Sequence, residues 1–239
     1  MDNLHIKLEG DQKHLIVQEL ETRRVHPWNV INYGFGSTKA FIAYIKNRVD
    51  KNVSTVFYND KGIRVNIDEF QQDKPVSTGS YEFQLSKHVE TWIGLTRNQS
   101  LSQNGFVKFL KGQDPEVVKD LELLIGKLGK LTFVTVIDSE HTAKDMKGNS
   151  TIMYKSKDGE GSVAIPDYIY INVDMLKDGV LGKVDLPFEL ILNKPKNEED
   201  RPTITLTCDR FNLFYQKAVE AEQDFLVKEL SEYLVVASN

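Results

Sequence analysis

"STVFYNDKGIRVNID", residues 54–68, decides the fold class of this chain. Val56 and Tyr58 alternate into "NDKG", a polar turn with Gly last. Beyond it Ile63, Val65 and Ile67 alternate with Arg64, Asn66 and Asp68. Apolar residues at every second position on both sides of a short turn describe an antiparallel hairpin with one face in and one face out. Downstream, Tyr81, Phe83 and Leu85 alternate with Glu82, Gln84 and Ser86, which adds a third strand.

Upstream of the hairpin the period is different. In "STKAFIAYIKNRVD", Phe41, Ile45 and Val49 are spaced by four. That puts them on one face of a helix. Ser37 or Thr38 can accept hydrogen bonds from the free amides of its first turn.

Helical spacing returns after the third strand. "SKHVETWIGL" turns Val89, Trp92 and Ile93 inward. "SLSQNGFVKFLKGQDPEVVKDLELLIGKL", residues 100–128, reads as two helices in a row. Ser100 or Ser102 caps the first, which carries Phe106, Phe109 and Leu110 and ends at Gly112. Asp114 caps the second with Pro115 at its first position, where a missing N–H costs nothing. Gly129 is placed to terminate it. The serine caps, the aromatics bury, and Gln103 bonds a strand edge or a loop amide, so the stretch reads as structural.

From 130 onward the texture is that of strands. "LTFVTVID" has the nearly continuous apolar run of a central strand, and "STIMYKSKDGEGSVAIP" forms a hairpin. "DYIYINVDML", "KVDLPFELILN" and "PTITLTCDR" are further strands, with "NKPKNEEDRP" as a solvated loop. The closing helix, within residues 212–234, carries two apolar stripes. Phe214, Ala218, Ala221 and Phe225 form one; Val219, Leu226, Leu230 and Tyr233 form the other, well over 90° away by the ~100° per residue rule. Such a helix touches two things: its own sheet and a neighbouring element, or its own sheet and a second protomer. The segment 213–235 is thus a candidate homo-oligomer contact.

Short turns rather than helices join most of the strands, so the expected class is α+β, with largely antiparallel sheets and a long C-terminal helix. Residues 1–36 are expected to form an N-terminal hairpin and linker, and 37–239 one α+β domain. That domain can divide into a mixed half, 37–129, and a β-rich half with the terminal helix, 130–239.

Composition bounds the function. The chain has 239 residues, with 30 basic against 35 acidic side chains and a formal net charge of −5. A non-specific nucleic-acid binder would be basic and clustered, so nucleic acid is not implied by charge. With one cysteine, Cys208, no internal disulfide forms. No stretch approaches the ~18 apolar residues of a membrane span, and the first residues lack the pattern of a signal peptide. A cytoplasmic setting is expected.

The common catalytic grammars fail. "GKLGK" at 126–130 has the letters of a phosphate loop in the wrong order, and "GFGS" at 34–37 is too short for a dinucleotide fingerprint. The histidines are scattered, against the close spacing zinc requires. Cys208 lies in an alternating strand, where a thiol is a small buried hydrophobe. The densest polar group is "DSEH": Asp138, Glu140 and His141 at a strand exit are the catalytic candidates for acid–base or metal work, though a solvated strand end has the same composition. No cofactor or metal is expected. Arg23, Arg24 and Trp28, with His26 and Tyr33 nearby, are binding candidates in a basic-aromatic connector whose aromatics can equally tuck against the core. His88 and Trp92 are the other binding candidates.

A collinear series carries one further indication. It runs from "TKAFIAYIKNRV" (38–49) and "STVFYND" (54–60) through Trp92 to "SLSQNGFVKFL" (100–110). It continues with "VDLPFELIL" (184–192) and "AVEAEQDFLVKELSEYLVVAS" (218–238). Over roughly residues 38–239 the chain resembles the YfdQ-like family of phage and prophage proteins, a family of unknown function. The family pattern has a second Trp shortly before the Ser-Gln-x-x-Phe element, whereas Trp92 stands alone here. The resemblance implies a phage-encoded protein acting in the cytoplasm of the infected bacterial host and supplies no catalytic residues. The expected function is an accessory protein that binds a host or phage macromolecule without catalysis, such as a defence component or the replication and recombination machinery. The alternative is a metal-dependent nuclease or a protein that binds a nucleotide signal.

Overall fold

The structure is a computed structural model, and it describes residues 30–70, 76–97, 100–129, 143–144, 149–156, 159–193 and 203–238. The fold is α+β, with five helices and mostly antiparallel sheets among the described residues. The expected strand at 131–138 lies outside them.

The hairpin at 54–68 forms as read. Strands β2 (Thr55–Tyr58) and β3 (Gly62–Ile67) pair antiparallel with Tyr58 opposite Ile63. The Asn59 side-chain oxygen accepts from the amides of Lys61 and Gly62 and so fixes the turn. A Cβ on Gly62 would meet the Tyr81 carbonyl oxygen at 2.2 Å, so only glycine lets the two strands approach there. β4 (Ser77–Glu82) follows antiparallel on β3.

Two more strands enlarge this sheet, and both pair parallel. β1 (Asn32–Gly34), inside the segment read as linker, lies against β4, and β12 (Leu234–Ala237) lies against β2. The order is β1-β4-β3-β2-β12. Helix α1 (Thr38–Arg48), capped by Ser37, covers one face with Phe41, Ile42 and Ile45. Those residues meet Val56, Ile63, Val65 and Tyr81 in one hydrophobic core.

A second core lies on the other sheet, of order β5-β11-β10-β9. β5 is Leu101–Ser102, β9 is Tyr168–Asp174, β10 is Lys183–Asn193 and β11 is Thr203–Thr207. Ile169, Ile171, Val173, Leu186, Phe188, Leu190, Ile204 and Leu206 face α2 (Lys87–Thr96), α3 (Gln103–Lys111) and α4 (Leu121–Gly129). Pro187 sits in β10 before β11 has joined, so its missing N–H leaves no partner wanting on that side. A three-stranded sheet of β6 (Ala143–Lys144), β7 (Asn149–Ser156) and β8 (Gly159–Pro166) precedes β9.

Helix α5 (Phe211–Glu229) ties the two cores together. Ala218 and Val219 belong to the four-stranded core; Leu226 and Leu230 belong to the five-stranded one. Both apolar stripes are therefore taken by the chain's own cores, and the division runs along the helix rather than around it. Leu213 and Val227 remain exposed. The sheets are also joined directly, since Ser86 donates to the Met175 carbonyl and Lys177 to that of Gln84. Between them Glu222, only 2% exposed, accepts from the Val180 amide at 2.7 Å.

Two expectations need correction. The helix expected from Asp114 onward begins only at Leu121. Val118 bridges Ile171 at the β9 edge, Asn172 donates to the Val117 carbonyl and Lys119 to that of Tyr170. Edge pairing outcompetes helical bonding over those residues, and Asp120 turns the chain back with φ 54°. The closing helix stops at Glu229 rather than near 234, because "LVVA" is drawn into β12 beside β2.

Candidate functional site

Among the described residues, those singled out from sequence do not converge. Arg23, Arg24, His26 and Trp28 lie outside the described residues, as do Asp138, Glu140 and His141. His88 is exposed on the first turn of α2, whereas Trp92, one turn on, is fully buried. The Trp92 indole meets the rings of Phe109 and Phe188 at 5.2 Å, and its N–H donates to Gln113. Tyr33 packs on Tyr44 with ring centres 4.9 Å apart. Burial, then the bond to Tyr33, pushes the Tyr44 hydroxyl up to about 12. Cys208 is half-buried beside the four-stranded core; desolvation, then Asp209, pushes its thiol up to about 11, so it is protonated at neutral pH. Ser102 caps α3 through the Gly105 amide, and Gln103 donates to the Leu128 carbonyl at 2.6 Å, tying α3 to the end of α4.

What the structure does display is two open sheet faces. On the four-stranded sheet the residues opposite the core are Tyr168, Tyr170 and Asn172 of β9 and Asp185, Pro187, Glu189 and Ile191 of β10. The strand register sets Tyr170 beside Pro187 and Tyr168 beside Glu189. Tyr168 is 47% and Tyr170 42% exposed, with ring centres 6.4 Å apart. Lys119 lies 6.0 Å from the Tyr170 ring centre and pairs with Asp185 at 2.6 Å; Asn172 donates to the other oxygen of that carboxylate. The bonds from Lys119 and Asn172 hold the Asp185 carboxyl below the usual range. This face carries Glu189 beside Tyr168 and is braced at the Lys119–Asp185 edge.

The five-stranded sheet differs. Alternation turns Val56, Ile63 and Val65 into the core and leaves Phe57, Arg64 and Asn66 on the other side. Pairing then lines up Val236, Phe57, Arg64 and Ser80 in one row across β12, β2, β3 and β4. The next row holds Leu234, Thr55, Asn66 and Thr78. At Phe57, Arg64 and Ser80 of the first row and Asn66 of the second lies a groove of about 460 Å³, lined also by Asn59, Lys61, Glu82 and Ser238 among others. Lys61 and Arg64 are exposed, and neither takes an ion pair among the described residues. The Asn66 side-chain oxygen is buried without a hydrogen-bond partner. Ser238 closes one end by donating twice to the Tyr58 carbonyl.

Among the described residues no three His, Cys, Asp or Glu side chains gather as metal ligands. No helix there is long and apolar enough to cross a membrane. The strand alternation already places Phe57 and Arg64 on the outer face. The groove itself comes from the non-local arrival of β4 and the chain end, for which no local signal exists. Comparison with protein-family models, curated proteins and solved structures found no match.

Proposed function

We propose that this chain is a phage-encoded accessory protein that acts in the cytoplasm of the infected bacterial cell by binding a host or phage protein, without catalysis. The observation that carries the reading is the open face of the four-stranded sheet. Two exposed tyrosines stand with Pro187 and Ile191 on a surface backed by a fully packed core. Tyrosine buries large area with few rotatable bonds and is enriched where proteins dock. Lys119 and Asp185 brace Tyr170 in advance, which lowers the ordering cost of association. The collinear resemblance to YfdQ-like phage proteins supplies the setting.

The test is affinity capture from infected cells, with the wild-type chain and a Tyr168→Ala/Tyr170→Ala variant run side by side. The expected result is one phage or host protein enriched by the wild type and lost with the variant, while circular dichroism is unchanged. An identical set of captured proteins from both chains, or none from either, rejects the reading.

A further inference from the structure

From the groove on the five-stranded sheet we infer a second binding site, distinct from the tyrosine face, that takes a free nucleoside phosphate. Charge is the first argument. Lys61 and Arg64 line one groove on a chain of net charge −5, and neither makes an ion pair among the described residues. Two unpaired cations beside one concavity call for an anion, and guanidinium in particular suits phosphate oxygens through paired hydrogen bonds.

The second argument separates a nucleotide from a bare anion. Phe57 is half-buried in the same groove and lies directly across from Arg64 in the strand register. An aromatic face next to a guanidinium offers a stacking surface for a base within reach of a phosphate clamp. Ser80 stands on the far side of Arg64, and Glu82 lines the groove with no ion pair among the described residues, an acceptor for ribose hydroxyls. Asn66 adds an oxygen that has no donor. From Asn66 to Gly62 the β3 backbone covers roughly 13 Å at ~3.3 Å per residue, which suits a nucleoside with its phosphate tail lying along the strand.

Size and net charge select the free nucleotide over a polymer. A groove of about 460 Å³ falls in the range of small-ligand sites. A strand of nucleic acid would need cations continued beyond both ends of the groove. The outer face supplies instead the uncharged row of Leu234, Thr55 and Thr78 on one side and Glu82 on the other.

Isothermal titration of the full chain with ATP, GTP, CTP and UTP tests the inference. Inorganic triphosphate and an oligo-dT of ten nucleotides serve as the other arms. At least one nucleotide is expected to bind more tightly than both. Arg64→Gln and Phe57→Ala are each expected to weaken it about tenfold or more, about 1.4 kcal/mol, with melting by circular dichroism held near wild type. Lys61→Gln, at a turn position where folding is not at stake, provides a further variant. Equal or tighter binding of inorganic triphosphate would reduce the site to a simple anion pocket. Tighter binding of the oligonucleotide would make it a strand platform, and failure of all four nucleotides to bind would remove it. The Tyr168→Ala/Tyr170→Ala variant should bind nucleotide unchanged, so loss of either property leaves the other standing.

Discussion

The two sheets of this protein are built alike and finished differently. Each has one face packed under helices and one face open, and in each the alternation along the strands decides which side chains are where. The four-stranded sheet ends as a surface of tyrosine, proline and isoleucine with Glu189 among them and the Lys119–Asp185 pair at its edge. The five-stranded sheet ends as a groove whose cations, Lys61 and Arg64, form no ion pair among the described residues. Its distant strands make the difference: β4 brings Ser80 and Glu82, and the chain end brings Val236 and Ser238. Equal pleats can thus carry a tyrosine face and a groove in one molecule.

The comparison is broken most severely through the cores. Trp92→Ala empties a fully buried site between Phe109 and Phe188 and leaves the Gln113 oxygen without its donor. It should cost about 3–5 kcal/mol, read from urea unfolding by circular dichroism. Leu226→Ala, in the other core, should cost about 2–5 kcal/mol. Because α5 enters both cores, this variant should also advance the unfolding reported by Trp92 fluorescence in a Trp28→Phe background. An unmoved Trp92 transition would mean the two cores melt independently.

Smaller changes sharpen the contrast. Gly62→Ala should destabilise by about 1–3 kcal/mol, because the new methyl must push the Tyr81 carbonyl away from the groove floor. Glu222→Ala strands the Val180 amide between the two sheets and should cost about 1–3 kcal/mol; Glu222→Gln, which keeps an acceptor, should recover most of it.

The smallest effect is electrostatic. Lys46 pairs with Glu229 across α1 and the end of α5, and Lys51 with Glu232 just past both helices, each at 2.6 Å. Those bonds hold both glutamates below the ordinary carboxylate range. A carboxylate whose folded pKa is depressed adds stability above its unfolded value and loses it as pH falls through the folded one. Acid should therefore loosen this clamp from just under pH 4.5 downward, the ordinary glutamate value. Both pairs are exposed, so Lys46→Gln should move the melting temperature by no more than a degree or two.

The local elements were legible because their signals are local. Of the paired cap candidates, Ser37 rather than Thr38 and Ser102 rather than Ser100 cap α1 and α3, and the residues of "NDKG" fold the turn their types prescribe. The sheet edges were not. β1 and β12 join by parallel pairing with strands far away in sequence, and nothing within "NYG" or "LVVA" announces a partner. At 115–120 the helical spacing was present, but pairing with β9 won. The site followed the same rule. Single residues such as Trp92 and His88 stood out in the sequence, yet a surface is made by register, which sets Phe57 beside Arg64 and Tyr170 beside Pro187.

The bridging helix also bears on synthesis. Both hydrophobic cores take residues from 211–230, and the first sheet takes its last strand from 234–237. While the ribosome is still adding that stretch, neither half has its full complement of buried side chains. Both cores should therefore gain their full protease resistance only once these residues have left the exit tunnel.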